Sequence, residues 1–293
     1  MDRIDVLRAF VTVGNESSFT KAADKLQLSP QLISKYVSRL EENVGIRLFN
    51  RTTRKVHLTE AGLRYFQRAQ QVLDDFDDLD SQLSDLQDEA RGLLRVSAPV
   101  SFATSHLARL INDFRKAHPH VNVDLQLNDR KVDIVEEGFD IALRIGKLKS
   151  SSLIAKAIIP IQLVFCAAPA YLAKHGTPTQ LEELVNHQLL SYSYMEKTPF
   201  WPDGNQAMIS NNGDVLVQSA IEGAGITLQP TFICAEAIKS GKLTMILSEF
   251  TPEPLGLYAV YPHRKLLASK VRTFIDFLDG YFGTPPYWDR LID

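Results

Sequence analysis

The sequence predicts two domains joined by one long helix: an N-terminal all-α head with a small two-stranded wing, and a C-terminal α/β domain of two lobes. Three observations carry this prediction. Apolar residues keep helical steps of three and four up to about residue 91, broken only by two short β-like runs. From Leu93 onward, strands alternate with helices. At 293 residues the chain has room for two domains of roughly 100 to 200 residues each.

The first helix is expected over residues 3–13, because Ile4, Leu7, Phe10 and Val11 share a face and Gly14-Asn15 reads as a stop. Ser18 can cap a second helix, TKAADKL, in which Ala22 and Ala23 admit a close neighbour. Ser29 as cap and Pro30 at the first helical position, where the missing N–H costs nothing, start a third helix running to about residue 43. Ile33, Val37 and Leu40 form its inward stripe, which leaves Gln31, Ser34, Lys35, Ser38 and Arg39 together on the outward face. After Gly45, short strands at about 47–49 and 56–58, joined by an Arg- and Thr-rich turn, make the wing.

Thr59 can cap a long helix over 60–91. Phe66, Ala69, Leu73, Phe76, Leu83, Leu86 and Ala90 keep steps of three, four or seven along it, with Asp80 in the polar slot. A narrow apolar stripe on so acidic a helix is expected to be a dimer seam against a second copy; packing on the chain's own second domain is the alternative. Beyond it, LRVSAP, VNVDLQL and DIALRIG read as strands, with helices over 106–116 and 132–137 between them, implying a parallel sheet. LVFCAAP, a helix near 181–184 and IEGAGITLQP suggest a second lobe; GLYAVYP leads back, and a helix over 269–282 closes the first lobe. The expected division is 1–59 for the head, 60–91 for the linker helix and 92–293 for the α/β domain, with lobe I at 92–161 and 265–293 and lobe II at 162–264.

Composition narrows the class. A hydrophobic share of 45% with 23% charged residues permits sizeable cores and argues against wholesale disorder. No run approaches the roughly 20 apolar residues that span a bilayer, and the start carries Asp2 and Asp5 instead of a basic leader, so a cytoplasmic protein without membrane contact is expected. The net charge of -3 divides unevenly: residues 1–60 hold a surplus of three positive charges and residues 61–91 a deficit of five. A mildly basic head on an acidic neck is compatible with nucleic-acid binding at the head. Cys166 and Cys234 have no Cys or His at ligand spacing, so free buried thiols are expected, with no metal and no cofactor. Catalysis finds no support, since G-x-S-x-G, G-x-x-x-x-G-K and H-E-x-x-H are all missing and the seven histidines stand apart.

The run from Phe19 to Gly62 resembles the winged helix-turn-helix of LysR-type transcriptional regulators. Ala22-Ala23, the spacing to Ser29, Ser34-x4-Arg39-Leu40-Glu41, Gly45, Leu48-Phe49, Arg51 and Leu58-Thr59-Glu60-Ala61-Gly62 fall where that family has its signature. Pro30 is a departure, standing where the family commonly has Gln, with Gln31 one place later. The resemblance implies double-stranded DNA as a partner, and the residue chemistry agrees. Ser29, Pro30, Gln31, Ser34, Lys35 and Ser38 would face the major groove, with Gln31, Ser34 and Lys35 offered to base edges. Arg39, Arg51, Thr52, Thr53, Arg54 and Lys55 would hold phosphate or, for Arg54, a minor groove.

The resemblance continues to the C-terminus through DIALRIGKLKSSSLIAKAI, AAPAYLAKHGTP, EGAGITLQP and GKLTMIL, similar to the family's subgroup with Arg-Ile-Gly after the third strand. It implies an effector domain like type 2 periplasmic binding proteins, closing on a small molecule between lobes. Pro99, Val100, Ser101 and Phe102 after the first strand, Asn128 and Arg144 at later strand ends, and Phe200 and Trp201 from the other lobe are the expected contacts. Because Ser101 precedes a helix, a carboxylate effector is expected. Plain alternatives are a helix cap for Ser101, an ion pair for Arg144 and packing for the aromatics. Gln229-Pro230 stands where the family more often has Leu-Pro. The family pattern further implies dimers that pair into tetramers, an inverted-repeat site and contact with RNA polymerase. A transport-type solute-binding protein fits residues 93–293 alone but not the head, and an architectural DNA binder leaves the two-lobed domain without a task.

Overall fold

The computed structural model describes residues 2–51, 56–82, 90–147, 153–194, 201–202, 205–262 and 267–292, and forms two compact units whose boundary in the chain falls between Glu89 and Ala90.

The head holds α1 (Arg3–Glu16), α2 (Phe19–Leu26), α3 (Pro30–Val44), the antiparallel pair β1 (Phe49–Arg51) and β2 (Val56–Leu58), and α4 (Glu60–Gln82). Asp2, Ser18 and Ser29 each accept a backbone N–H of the helix they precede, at 3.0, 3.3 and 3.2 Å. Gly14 does not stop α1, which runs on to Glu16 and ends at a left-handed Ser17. Its role is spatial: a β-carbon there would lie 2.6 Å from the Phe66 ring of α4. Ala22, Ala23, Ile33 and Val37 are fully buried, so α1, α2 and α3 close on one core with Phe10 and Leu48.

Two side chains tie the wing to this core. The Glu41 carboxylate accepts the Leu48 and Phe49 N–H groups at 2.8 and 3.0 Å, and β1 starts there, two residues later than expected. Thr59 donates to the Arg47 carbonyl and accepts from the Gly62 N–H, both at 2.9 Å. At Gly62 a β-carbon would stand 1.9 Å from the Leu48 carbonyl oxygen, so α4 can cross β1 only with glycine at that point.

The linker helix departs from the expected seam. Ala69 and Leu73 are 4% and 6% exposed and belong to the head's own core, and Phe66 packs edge-on to Phe10 with centroids 6.3 Å apart. Val72 and Phe76, 48% and 39% exposed, carry the outward apolar surface instead. Period alone could not separate these faces, because α4 has to satisfy the head first. Leu83 and Leu86 lie outside the described residues, and Ala90 and Arg91 are not helical, so the helix does not extend to residue 91.

The second unit has two five-stranded sheets. The first has the order β4-β3-β5-β12-β6, from β3 (Gly92–Ala98), β4 (Val121–Leu127), β5 (Ile141–Gly146), β6 (Leu153–Ile161) and β12 (Leu255–Pro262). The second, β11-β7-β10-β8-β9, comprises β7 (Leu163–Ala167), β8 (Leu189–Tyr192), β9 (Gln206–Ser210), β10 (Ile226–Pro230) and β11 (Thr244–Ile246). Helices α5 (Val100–Phe102), α6 (Ala108–Ala117), α7 (Pro169–His175), α8 (Gly213–Ile221), α9 (Thr231–Lys239) and α10 (Ser269–Leu278) complete it, with a π-helical turn at Ala103–Leu107 before α6.

Both sheets are mixed, not parallel. Strand β12 runs antiparallel to β5 and β6, and β7 runs antiparallel to β10 and β11. The return to lobe I therefore comes at Leu255, ten residues before the expected 265. Residues 132–137 form turns, not a helix, because Val132, Ile134 and Phe139 pack on the sheet with Ala142 and Val260. Helix α10 ends at Leu278, and its buried Lys270 donates to the Leu93 carbonyl at 2.7 Å and faces Asp140 at 3.4 Å.

Each lobe has its own core. Phe102, Phe114, Phe274, Phe282 and Trp288 fill the first, each such burial contributing roughly 2 to 3 kcal/mol. Phe165, Leu189, Leu216 and Ile226 anchor the second, together with the free, buried thiols of Cys166 and Cys234. Contact with Cys234 and burial hold the Cys166 thiol well above its ordinary pKa.

Candidate functional site

Two regions gather polar side chains in a form that can recognise something. The first is the outward face of α3. Ser29, Pro30, Gln31, Lys35 and Arg39 are exposed and Ser34 and Ser38 half-buried, while Ile33, Val37 and Leu40 fix the opposite face in the core. A helix held so rigidly can offer amide, hydroxyl and ammonium groups to a groove without ordering itself on contact. On the wing, Thr52, Thr53, Arg54, Lys55 and the Arg51 side chain lie outside the described residues. A basic surface that the sequence reading missed lies at the start of α4, where Arg47, Arg64 and Arg68 line one shallow groove with Ile46, Thr59, Glu60 and Tyr65. Arg64 and Arg68, four apart on a helix, were the available signal.

The second region lies between the lobes. Pro99 precedes α5, and the Val100 N–H donates to the Asp129 carboxylate at 3.0 Å. Ser101, 6% exposed, donates its hydroxyl across to Asp214 on α8 at 2.6 Å. Helix α8 comes this close because position 213 is glycine: a β-carbon there would stand 2.6 Å from Ile233, 2.9 Å from the Gln229 amide oxygen and 3.7 Å from the Ser101 hydroxyl. Gln229, 1% exposed, donates its amide nitrogen to Thr227, whose hydroxyl donates to the Leu190 carbonyl.

Charges in this cleft perturb one another. Burial raises the Asp129 carboxyl and repulsion from Asp214 adds to it, while the Val100 N–H and Arg144 oppose the shift. Burial, then the nearby Asp129 charge, pushes the Tyr192 phenol up. A second set of interlobe contacts surrounds His106, whose Nε2–H donates to the Phe232 carbonyl at 3.2 Å while Nδ1 takes the Tyr287 hydroxyl at 2.5 Å. Burial holds this imidazole below its ordinary pKa. Thr231 donates to Asp289 at 2.5 Å beside it.

Several expected effector contacts change role. Phe102 is a fully buried core residue, edge-on to Phe232 and Trp288. Asn128 accepts the Arg130 N–H at 3.1 Å and so shapes the turn that presents Asp129, the carboxylate the sequence reading passed over. Trp201 stacks on Phe165 and donates to Ser191 at 2.7 Å within lobe II. Phe200 lies outside the described residues. Ser101 and Arg144 do stand by the cleft, but the donors expected for a carboxylate effector, Ser101 and the Val100 N–H, are engaged by the chain's own Asp214 and Asp129.

Among the described residues, no group of His, Cys, Asp and Glu could hold a metal ion, and no helix is long and apolar enough to cross a membrane.

Comparison with known proteins agrees with this two-part layout. Residues 4–63 match the family model described as bacterial regulatory helix-turn-helix protein, lysR family, and residues 87–283 match the LysR substrate binding domain. An HTH-type transcriptional regulator of Haemophilus influenzae is 37% identical over 281 residues, covering 92% of this chain and 98% of the relative. The HTH-type transcriptional regulator CrgA of Neisseria meningitidis serogroup C is 34% identical over 287 residues, covering 94% and 96%. Among solved structures, CrgA from Neisseria meningitidis superposes with a TM-score of 0.59 at 31% identity, covering 99% of both chains. The full-length Vibrio cholerae virulence activator AphB gives 0.57 at 30% identity, covering 96% of this chain and 99% of its own.

Proposed function

Because the chain belongs to the LysR family of bacterial transcriptional regulators, which are not enzymes, we propose that it reads a promoter inverted repeat with α3 and answers to a small molecule held between its lobes. The observation that carries the DNA reading is the rigid outward face of α3, with Gln31, Ser34 and Lys35 toward base edges and Arg39 toward phosphate. The wing residues Arg51, Thr52, Thr53, Arg54 and Lys55 enter on sequence grounds as phosphate and minor-groove contacts. Such work takes place in the cytoplasm of a bacterium.

Two copies pair through α4, which sets two recognition helices about one turn of DNA apart. The seam that supports this differs from the one first expected: Val72, Phe76, Leu79, Leu83 and Leu86 alternate in steps of four and three along the sequence, and Val72 and Phe76 are exposed. Arg64 and Arg68 open this helix, and Asp74, Asp75, Asp77, Asp78 and Asp80 follow, so antiparallel pairing puts opposite charges side by side. Dimers pair again into a tetramer, and an effector that prefers one lobe arrangement shifts the spacing of the heads and with it contact to RNA polymerase.

A footprint on the DNA upstream of the protein's own gene, with size analysis of the complex, tests this reading. Protection of a long, two-part, dyad-related site is expected; binding without preference over random DNA would overturn it.

A further inference from the structure

The outward surface of α3 changes chemistry at its N-terminal end. Along the helix, Gln31, Ser34, Lys35, Ser38 and Arg39 offer amide, hydroxyl and cationic groups. At the start, Leu28 and Pro30 are both exposed, one on each side of the capping Ser29. Leu28 lies in the turn that joins α2 to α3, and Pro30 is the first residue of the helix. Pro30 also stands where the family commonly has Gln.

A helix start ordinarily offers free N–H groups to a phosphate. Here few are left. Proline has no N–H to give, the Leu32 N–H is taken by the Ser29 hydroxyl at 3.2 Å, and the Ile33 N–H by the Ser29 carbonyl at 3.1 Å. What this end presents instead is hydrocarbon, the pyrrolidine ring with the Leu28 side chain two residues before it. On the base edges of the major groove, the apolar counterpart is the thymine methyl, set among donors and acceptors. Against a donor or acceptor the ring would displace water and return no hydrogen bond. Against a methyl it removes apolar surface from water on both sides. The contact costs little order, because proline has no rotamer freedom to lose and the buried Ile33 and Val37 already fix the helix.

We propose that Pro30 determines operator specificity: its ring packs on the 5-methyl group of one thymine in each half-site. The position then reads thymine by apolar contact, where glutamine would read a base edge by hydrogen bonding. This rests on the reading of α3 as the helix that enters the major groove.

The test uses the full-length protein and the upstream duplex that the footprint protects, with thymines replaced one at a time by deoxyuridine. That replacement removes the methyl and keeps every hydrogen-bonding group. Affinity is read by fluorescence anisotropy at fixed salt. In the parent, one thymine per half-site, at positions related by the dyad, is expected to be methyl-dependent. Affinity should fall about three- to fourfold for one half-site and about tenfold for both, as the loss of one buried methyl at each implies. Pro30→Gln should bind the thymine and deoxyuridine duplexes alike at that position, and Pro30→Val, which keeps an apolar side chain, should retain the difference. If Pro30→Gln fails to fold, Pro30→Ser carries the same comparison. The absence of any methyl-dependent thymine, or a dependence that the polar variant retains, overturns the proposal. A dyad-related footprint without methyl dependence sinks this inference alone, whereas binding without preference over random DNA sinks the regulator reading and this inference with it.

Discussion

The outward face of α3 and the cleft between the lobes both concentrate polar residues, yet they use them in opposite ways. On α3 the side chains of Gln31, Lys35 and Arg39 are exposed and project from a helix whose other face is wholly buried. In the cleft, Ser101, Gln229 and Thr227 are buried and already bonded, with Asp214 and Asp129 pairing to donors from lobe I. On the function proposed above, the α3 face keeps its donors and acceptors in water, as suits a surface that samples many DNA sequences, whereas the interlobe groups are largely desolvated, where a mismatched polar group costs most.

That contrast can be broken by substitutions, the largest effect first. Leu73→Asp places a charge in the head's core and is expected to remove about 3 kcal/mol or more from its stability, read by urea unfolding. Phe76→Asp, on the exposed side of the same helix, should leave the fold within about 1 kcal/mol and lower the assembly state in sedimentation. A Leu73→Asp protein that stays folded and merely dissociates would show that the seam runs where the sequence first suggested.

Glu41→Gln comes next. Its carboxylate holds two N–H groups of the wing strand, so the loss should be about 1 to 2 kcal/mol, with wing contacts to DNA weakened in step. Lys35→Ala leaves stability alone and is expected to lower operator discrimination by about tenfold, with a far smaller loss on random DNA. Equal losses on both would make Lys35 a phosphate contact and would narrow the difference between helix face and cleft.

The smallest effect is on pH dependence, and it belongs to the effector domain. Burial keeps His106 and His187 below the ordinary histidine value of 6.5. The unfolded chain therefore takes up these protons first, so stability is complete above about 6.5 and declines as pH falls from there through the folded values. His106→Gln should flatten the decline between pH 6.5 and 5; an unchanged slope would place its origin elsewhere.

Legibility followed the range of the interactions. Ser18 and Ser29-Pro30 announced helix starts because a cap bonds within four residues of itself. The polar face of α3 was equally plain, since helical period alone divides Ile33, Val37 and Leu40 from Gln31 and Lys35. Gly14 misled for the opposite reason: it is a spacer for Phe66, fifty-two residues away, and nothing local marks it as such. Asp129 and Asp214 escaped notice because each is unremarkable in its own segment and gains meaning only through a distant partner, the Val100 N–H 29 residues from Asp129 and the Ser101 hydroxyl 113 residues from Asp214.

By itself, then, the sequence determined the family, the helices of the head with its wing, and the polar face of α3, all of which rest on short-range period, capping and a contiguous signature. Only the tertiary structure decided which apolar edge of α4 is left for a partner, where β12 returns to the first sheet, and that the chain's own carboxylates occupy the interlobe donors. Those outcomes depend on which faces meet after the long-range contacts form, and burial and charge are properties of that meeting and not of any one segment.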